Sequence, residues 1–82
     1  MICRYFITIK CLCPVDGCPD TYDAVIESAE MISVETIIEA AREAGLKRQF
    51  QEELTADLAR RLGWNVTTRG FHSGVLTVVL AP

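Results

Sequence analysis

Most of the side chains in this sequence that could do chemistry lie within nine consecutive residues. Three of the four cysteines and two of the three prolines belong to this stretch, which reads Cys11-Leu12-Cys13-Pro14-Val15-Asp16-Gly17-Cys18-Pro19. Pro14 fixes its own φ, and Gly17 permits a positive φ. The spacing therefore predicts a tight turn with Cys13 and Cys18 at its ends. A turn of this kind can bring two thiolates onto one tetrahedral zinc ion.

The segment Cys13-Pro14-Val15-Asp16-Gly17-Cys18, followed four residues later by Tyr22, resembles the cysteine half of a Cys-Cys-His-His zinc finger. The resemblance covers residues 13–22 and implies a metal-binding knuckle. The other half of that family's motif is a pair of histidines on the next helix, and it is absent because His72 is the only histidine. The resemblance therefore does not extend to the finger fold or to its reading of DNA.

A zinc ion would need ligands beyond Cys13 and Cys18, and Cys11 and His72 are the candidates. Cys3 is excluded if residues 3–11 form one strand, because eight residues at roughly 3.3 Å each separate it from Cys11. Two alternatives stay open. The cysteines could be reduced, buried thiols that act as small apolar side chains, or two of them could form a disulfide. No cofactor other than zinc is predicted, because the sequence has no glycine-rich loop that could cradle phosphate.

Nucleophilic catalysis requires a nucleophile, a base and a group that orients the base. With a single histidine, the only such arrangement that the sequence offers is Cys18, His72 and Asp16. The glutamates are typical of solvated helix faces rather than of paired catalytic carboxylates. The sequence therefore predicts a protein that is not an enzyme.

Length and composition predict one folded domain over residues 1–82, since half of the residues are apolar and 23% are charged. No apolar run approaches the roughly 20 residues that a membrane helix needs. The start, Met1-Ile2-Cys3-Arg4-Tyr5, has no basic leader followed by an apolar stretch. We therefore expect a cytoplasmic protein with no membrane partner, in which disulfides are disfavoured.

The net charge of −3 is divided unevenly along the chain. Two basic and seven acidic residues lie in positions 1–40, whereas six basic and four acidic residues lie in positions 41–82. Arg48, Arg60 and Arg61 belong to this basic half and are candidate contacts for phosphate or for an acidic partner. The alternative for Arg60 and Arg61 is electrostatic stabilisation of a helix C-terminus.

Residues 3–11 alternate between apolar and polar side chains, which predicts a half-buried strand with Phe6 on its polar face. Residues 22–29 fit either a strand or a helix. We favour the strand, because Ser33 is then free to cap a separate helix. That first helix has an apolar stripe and ends at Gly45; the stripe consists of Val34, Ile37, Ile38, Ala41 and Ala44.

A second helix is predicted over residues 47–62, with Phe50, Leu54, Leu58 and Leu62 on one face and a stop at Gly63. A strand over 64–69, a turn over 70–74 and a largely buried strand over 75–80 complete the chain. The order ββααββ predicts an α+β fold with a four-stranded antiparallel sheet and two helices on one face. In that topology His72, the 45–47 turn and the cysteine-rich turn share one end.

The leading functional hypothesis is a small, non-enzymatic intracellular module that binds another protein. Its general character is similar to that of small accessory proteins or inhibitors encoded by phages and mobile elements. Phe6 and Phe71 are candidate contacts, and exposed sheet edges also predict a homodimer. The alternative is a zinc-knuckle domain that binds nucleic acid through its basic second half, which the overall negative charge does not favour.

Overall fold

The structure is a computed structural model that describes residues 1–82. Its elements are β1 (Cys3–Leu12), β2 (Pro19–Ser28), α1 (Val34–Gly45), α2 (Gln51–Leu62), β3 (Asn65–His72) and β4 (Val75–Ala81). The strands form one antiparallel sheet in the order β1-β2-β3-β4. The predicted α+β fold with ββααββ order is therefore confirmed.

Strands β1 and β2 form a hairpin whose register follows from alternation. Ile9 lies opposite Tyr22, and Ile7 lies opposite Ala24, so apolar side chains from both strands meet on the face that the helices cover. The strand interpretation of residues 22–29 is confirmed. The strand begins earlier than predicted, because pairing continues to Leu12 and Pro19. A proline is compatible with the first residue of a strand.

Helix α1 packs on the sheet through a face that differs from the predicted stripe. Val34 and Ile38 are exposed, whereas Ala40 is buried. The small side chains let the helix lie close to β1. At Gly45 a Cβ atom would overlap the carbonyl oxygen of Lys10, so close packing requires the glycine there.

Helix α2 begins at Gln51, four residues later than predicted. The preceding residues instead run beside β1, where Arg48 forms a bridge with Leu12 and the Gln49 N–H donates to the Leu12 carbonyl at 3.2 Å. The predicted stop is confirmed, because Gly63 adopts a φ of 73° at the end of the helix.

Strands β3 and β4 are joined by a two-residue turn, Ser73-Gly74, with φ values of 51° and 81°. The predicted 70–74 turn was too long, because β3 continues to His72. The prediction that β4 is largely buried was wrong. It is an edge strand, and Leu76 and Leu80 lie on the face that no helix covers.

We call this uncovered side of the sheet the open face. Phe6, Phe71, Leu76, Val78 and Leu80 are exposed on it. The buried core lies between the opposite face and the helices, and Leu54 and Leu58 of α2 are among its most buried side chains; the core also contains Ile9, Cys11, Tyr22, Ala24, Ile26, Ile37, Ala40, Ala41, Ala44, Ala59 and Val66. Neither helix is long and apolar enough to cross a membrane.

Candidate functional site

The turn between β1 and β2, the segment before α2 and the end of β3 meet at one end of the sheet, which we call the hairpin end. The Leu12–Arg48 bridge joins the first two, and a contact between Tyr22 and His72 joins β2 to β3. The prediction that His72 and the cysteine-rich turn share one end is confirmed by these contacts.

The cysteine-rich turn is closed by backbone hydrogen bonds. The Cys13 N–H donates to the Cys18 carbonyl at 2.9 Å, and the Gly17 N–H donates to the Cys13 carbonyl at 2.9 Å. Gly17 has a φ of 74°, as the turn prediction requires, and a Cβ there would overlap the guanidinium group of Arg48. The side chain of Arg48 therefore lies against the turn.

The four thiols differ in their surroundings. The Cys11 Sγ is buried and donates to the Lys47 carbonyl at 3.1 Å, and burial raises the pKa of this thiol. Cys3 lies opposite Ser28 at the other end of β1. Cys18 is exposed, and Cys13 is partly buried.

The carboxylate of Asp16 organises the turn. It accepts the Cys18 N–H at 2.9 Å, and this bond is the main reason that the pKa of Asp16 is lowered. The nearby thiols of Cys13 and Cys18 make smaller contributions to the lowered pKa. The negative charge of Asp16 in turn raises the pKa of Cys18.

Four polar side chains extend from the hairpin end into the interior. The Tyr22 hydroxyl donates to Asp20 Oδ2 at 3.4 Å and lies 3.5 Å from His72 Nε2, which is 3.3 Å from Gln51 Oε1. The ring centroids of Tyr22 and His72 are 5.7 Å apart. Burial raises the pKa of Tyr22, and the nearby charge of Asp20 raises it further. We call these residues the Tyr22 chain.

The buried end of the Tyr22 chain is fixed by Gln51. Its Nε2 donates to the Thr77 carbonyl at 3.0 Å and to Thr68 Oγ1 at 3.1 Å. Because a carbonyl can only accept, the amide nitrogen must face Thr77 and Oε1 must face His72. His72 Nε2 then donates to Gln51 Oε1, while the Tyr22 hydroxyl donates to Asp20 Oδ2.

Sequence reasoning missed Asp20, Tyr22 and Gln51 as site residues. A signal was available in Thr55 and Thr68, which are polar residues on otherwise apolar faces. Both are fully buried, and their hydroxyl oxygens are 2.6 Å apart. Polar side chains at such positions indicate a buried hydrogen-bond network.

The predicted zinc ligands Cys11, Cys13, Cys18 and His72 all lie towards the hairpin end. The structure does not bring three or more histidine, cysteine, aspartate or glutamate side chains together in a geometry that could hold a metal ion. Cys11 points to the Lys47 carbonyl instead. Zinc binding therefore stays a prediction without a preformed site.

The predicted binding residues are dispersed. Phe6 and Phe71 are exposed by 75% and 72% on the open face, and Arg48 lies at the hairpin end. Arg60 and Arg61 lie on α2, where both donate to Asp57. Both arginines lie in the last turn of α2, the position that the helix-end alternative requires. The predicted partner contacts of Phe6, Phe71, Arg48, Arg60 and Arg61 stay predictions.

No protein-family model and no curated protein matches this sequence. The fold does match a solved structure, the crystal structure of the archaeosine synthase QueF-Like in the apo form. The TM-score is 0.88 at 19% sequence identity, and the match covers 98% of this chain and 90% of that chain. At this identity the likeness establishes a shared fold.

This match corrects the functional predictions. The zinc-finger resemblance was wrong, because residues 13–22 form part of a fold that spans 98% of the chain and belongs to an enzyme. The hairpin uses Pro14 and Gly17 to turn between strands. The predictions of a non-enzymatic, phage-like interaction module, and of a zinc-knuckle nucleic-acid-binding domain as its alternative, were wrong for the same reason. The non-enzyme prediction relied on the absence of a complete histidine-centred triad, of paired carboxylates and of a phosphate-binding loop, and active sites can be built in other ways.

Proposed function

We propose that this chain is an enzyme that acts on a nucleobase or a related nitrogen heterocycle through the thiol of Cys13. Its structural neighbour is named an archaeosine synthase, and we extend that class of substrate to this chain. The observation that carries the proposal is the hairpin end itself. There a partly buried thiol and the ordered Tyr22 chain lie at one end of the fold.

Cys13 is the best candidate for the nucleophile among the four cysteines. Cys3 lies at the opposite end of the sheet, and Cys11 is buried and already donates to a carbonyl. The charge of Asp16 raises the pKa of Cys18 and so disfavours the reactive thiolate. Cys13 is only partly buried and lies where the turn leaves β1.

Asp20 is the candidate for proton transfer. It accepts a hydrogen bond from the Tyr22 hydroxyl and lies opposite Cys11 in the strand register, two residues before Cys13 along β1 and its turn. In the proposed step Asp20 takes the proton of the Cys13 thiol, and the thiolate adds to an electrophilic carbon of the base. The displaced electron pair moves onto the neighbouring heteroatom, which takes the proton from Asp20.

A groove of about 410 Å³ on the open face reaches the hairpin end at Pro19 and Asp20 and could hold a base beside that end. The side chain of Asp20 itself lies on the helical face, together with that of Tyr22. Phe71 offers an exposed aromatic ring for stacking. Asp23 and Arg69 lie opposite each other in the strand register and supply groups that could hydrogen-bond to the edge of a base.

The test combines alkylation with ligand protection. The reduced full-length protein is treated with iodoacetamide, and modified cysteines are identified by mass spectrometry, with and without archaeosine, guanosine or cytidine. We expect Cys13 to react faster than Cys11 and a nucleoside to slow that reaction. Phe71→Ala should weaken the protection, and Phe6→Ala on the distant β1 is the matched control. Alkylation of Cys13 that none of the three nucleosides slows would overturn the proposal.

A further inference from the structure

Cys13 and Cys18 face each other across the β1–β2 hairpin. The strand register ends at the Leu12–Pro19 pair, and the next pair outward is Cys13 with Cys18. The 2.9 Å bond from the Cys13 N–H to the Cys18 carbonyl shows that these residues are directly opposite. Opposed residues in antiparallel strands have Cα atoms about 4.5–5.5 Å apart, which lies within the range of about 4.4–6.8 Å that a disulfide spans.

The side chains of two directly opposed residues point to the same face of a hairpin. Here the turn between them is held closed, because the Cys18 N–H donates to Asp16 Oδ1 at 2.9 Å and the Gly17 N–H donates to the Cys13 carbonyl at 2.9 Å. Cys18 is exposed and Cys13 is partly buried, so a small oxidant can reach the pair. No other pair of cysteines in the chain has this arrangement, because Cys11 lies opposite Asp20 and Cys3 lies opposite Ser28.

We propose that Cys13 and Cys18 are a modification site at which a reversible disulfide forms across the hairpin. With hydrogen peroxide as the oxidant, the Cys13 thiolate attacks one peroxide oxygen and becomes a sulfenic acid, and water leaves once the released hydroxide is protonated. The Cys18 thiol then attacks the sulfenic sulfur, a second water leaves, and the S–S bond forms. Two thiols and one peroxide thus give one disulfide and two waters, and an added dithiol reverses the change.

The consequence for activity rests on the proposed function. If Cys13 is the nucleophile, the disulfide removes its thiolate and inactivates the site. It also protects this sulfur from irreversible oxidation to the sulfinic and sulfonic acids. The Tyr22 chain does not include Cys13 or Cys18, so reduction should restore a site that is otherwise intact.

The experiment treats the full-length protein with hydrogen peroxide, blocks the remaining thiols with iodoacetamide and measures the intact mass. We expect the number of alkylated cysteines to fall from four to two and to return to four after reduction with dithiothreitol. Asp16 lies between the two cysteines, so a protease that cleaves before aspartate places them on separate peptides. If the disulfide has formed, these two peptides stay joined through it. Cys11→Ser is the matched control and should still form the link. Cys18→Ser should not, and its Cys13 should accumulate sulfinic and sulfonic acids.

Four alkylated cysteines after oxidation, or a link that includes Cys11, would overturn the disulfide proposal. The proposed function is tested separately by the nucleoside protection of reduced Cys13. If the disulfide forms but no nucleoside slows the alkylation of reduced Cys13, the results support the modification site and reject the enzyme proposal. Nucleoside protection without a disulfide would retain the enzyme proposal and reject the modification site.

Discussion

The Tyr22 hydroxyl lies 3.5 Å from His72 Nε2, which joins β2 to the end of β3 across 50 positions of sequence. The two rings also pack at a centroid distance of 5.7 Å and an interplanar angle of 45°. Tyr22 is buried and donates to Asp20, so it contacts both the carboxylate on β2 and the histidine at the end of β3. The hairpin end is therefore held in place by contacts on the side of the sheet that the helices cover, as well as by the hydrogen bonds of the turn.

Gln51→Ala should lower the free energy of unfolding by roughly 1–3 kcal/mol, because it removes the donor that satisfies Thr68 and the Thr77 carbonyl. The measurement is a urea titration followed by circular dichroism. Glu52→Ala changes the exposed neighbouring residue of the same helix turn and should leave the free energy nearly unchanged. Equal effects of the two substitutions would contradict the structural role of Gln51.

Gly70→Ala should be destabilising by about 1–3 kcal/mol, because the added Cβ would overlap the ring of Tyr22. Displacing that ring should also weaken its contact with His72. The NMR chemical shifts of the His72 ring should therefore differ between the variant and the wild type. Thr67→Ala on the open face of the same strand is the control. If Gly70→Ala unfolds at the wild-type urea concentration, the close packing between β2 and β3 is incorrect.

Stability should fall in acid partly because Asp57 loses its charge. Burial by itself raises the pKa of Asp57, but hydrogen bonds from Gln49 and Arg61 more than offset it, so the net pKa is lowered. A carboxylate with a lowered folded-state pKa contributes stability above its unfolded pKa of about 3.9, and this contribution is lost as the pH falls through the folded value. Urea titrations between neutral pH and acid measure it.

Asp57→Asn is the matched variant for the acid experiment, since it keeps the shape of the side chain and removes the charge. Its stability should be lower at neutral pH and should depend less on pH in the acid range than that of the wild type. Parallel pH profiles for the two proteins would contradict a contribution from this carboxylate.

The homodimer prediction also follows from the open face. The edge strands β1 and β4 carry unpaired backbone groups, and Phe6 and Leu80 are exposed by 75% and 73%. Light scattering at micromolar concentrations should therefore give a mass above the 9.1 kDa of one chain. Leu80→Glu should shift the mass towards one chain, whereas Val34→Glu on the exposed side of α1 should not. A wild-type mass of one chain would reject the prediction.

Much of the fold could be predicted from local pattern. Strand β1 follows from strict alternation, because successive side chains of an extended chain must point to opposite faces. The end of α2 follows from Gly63, because the left-handed conformation there is accessible to glycine at little steric cost. The turn between β1 and β2 follows from Pro14 and Gly17 in the same way. These are short-range steric effects, and they act before any tertiary contact forms.

Other features depended on which surfaces meet. Ile38 fits an apolar helix stripe but is exposed, because α1 approaches the sheet through its alanines. Leu80 fits a buried strand but is exposed, because no element covers the open face. Apolar periodicity indicates that a face can be buried, but the number and angle of the packed layers decide whether it is.

The candidate site shows the same division. The sequence by itself determined that Cys13 lies in a tight turn and that His72 would reach the same end, since both follow from element order and turn chemistry. Only the tertiary structure decided that Tyr22 and Gln51 contact His72 and that the Cys11 thiol is buried against the Lys47 carbonyl. These contacts join residues far apart in the chain or depend on exact strand register. A one-residue shift in register would turn each side chain to the other face.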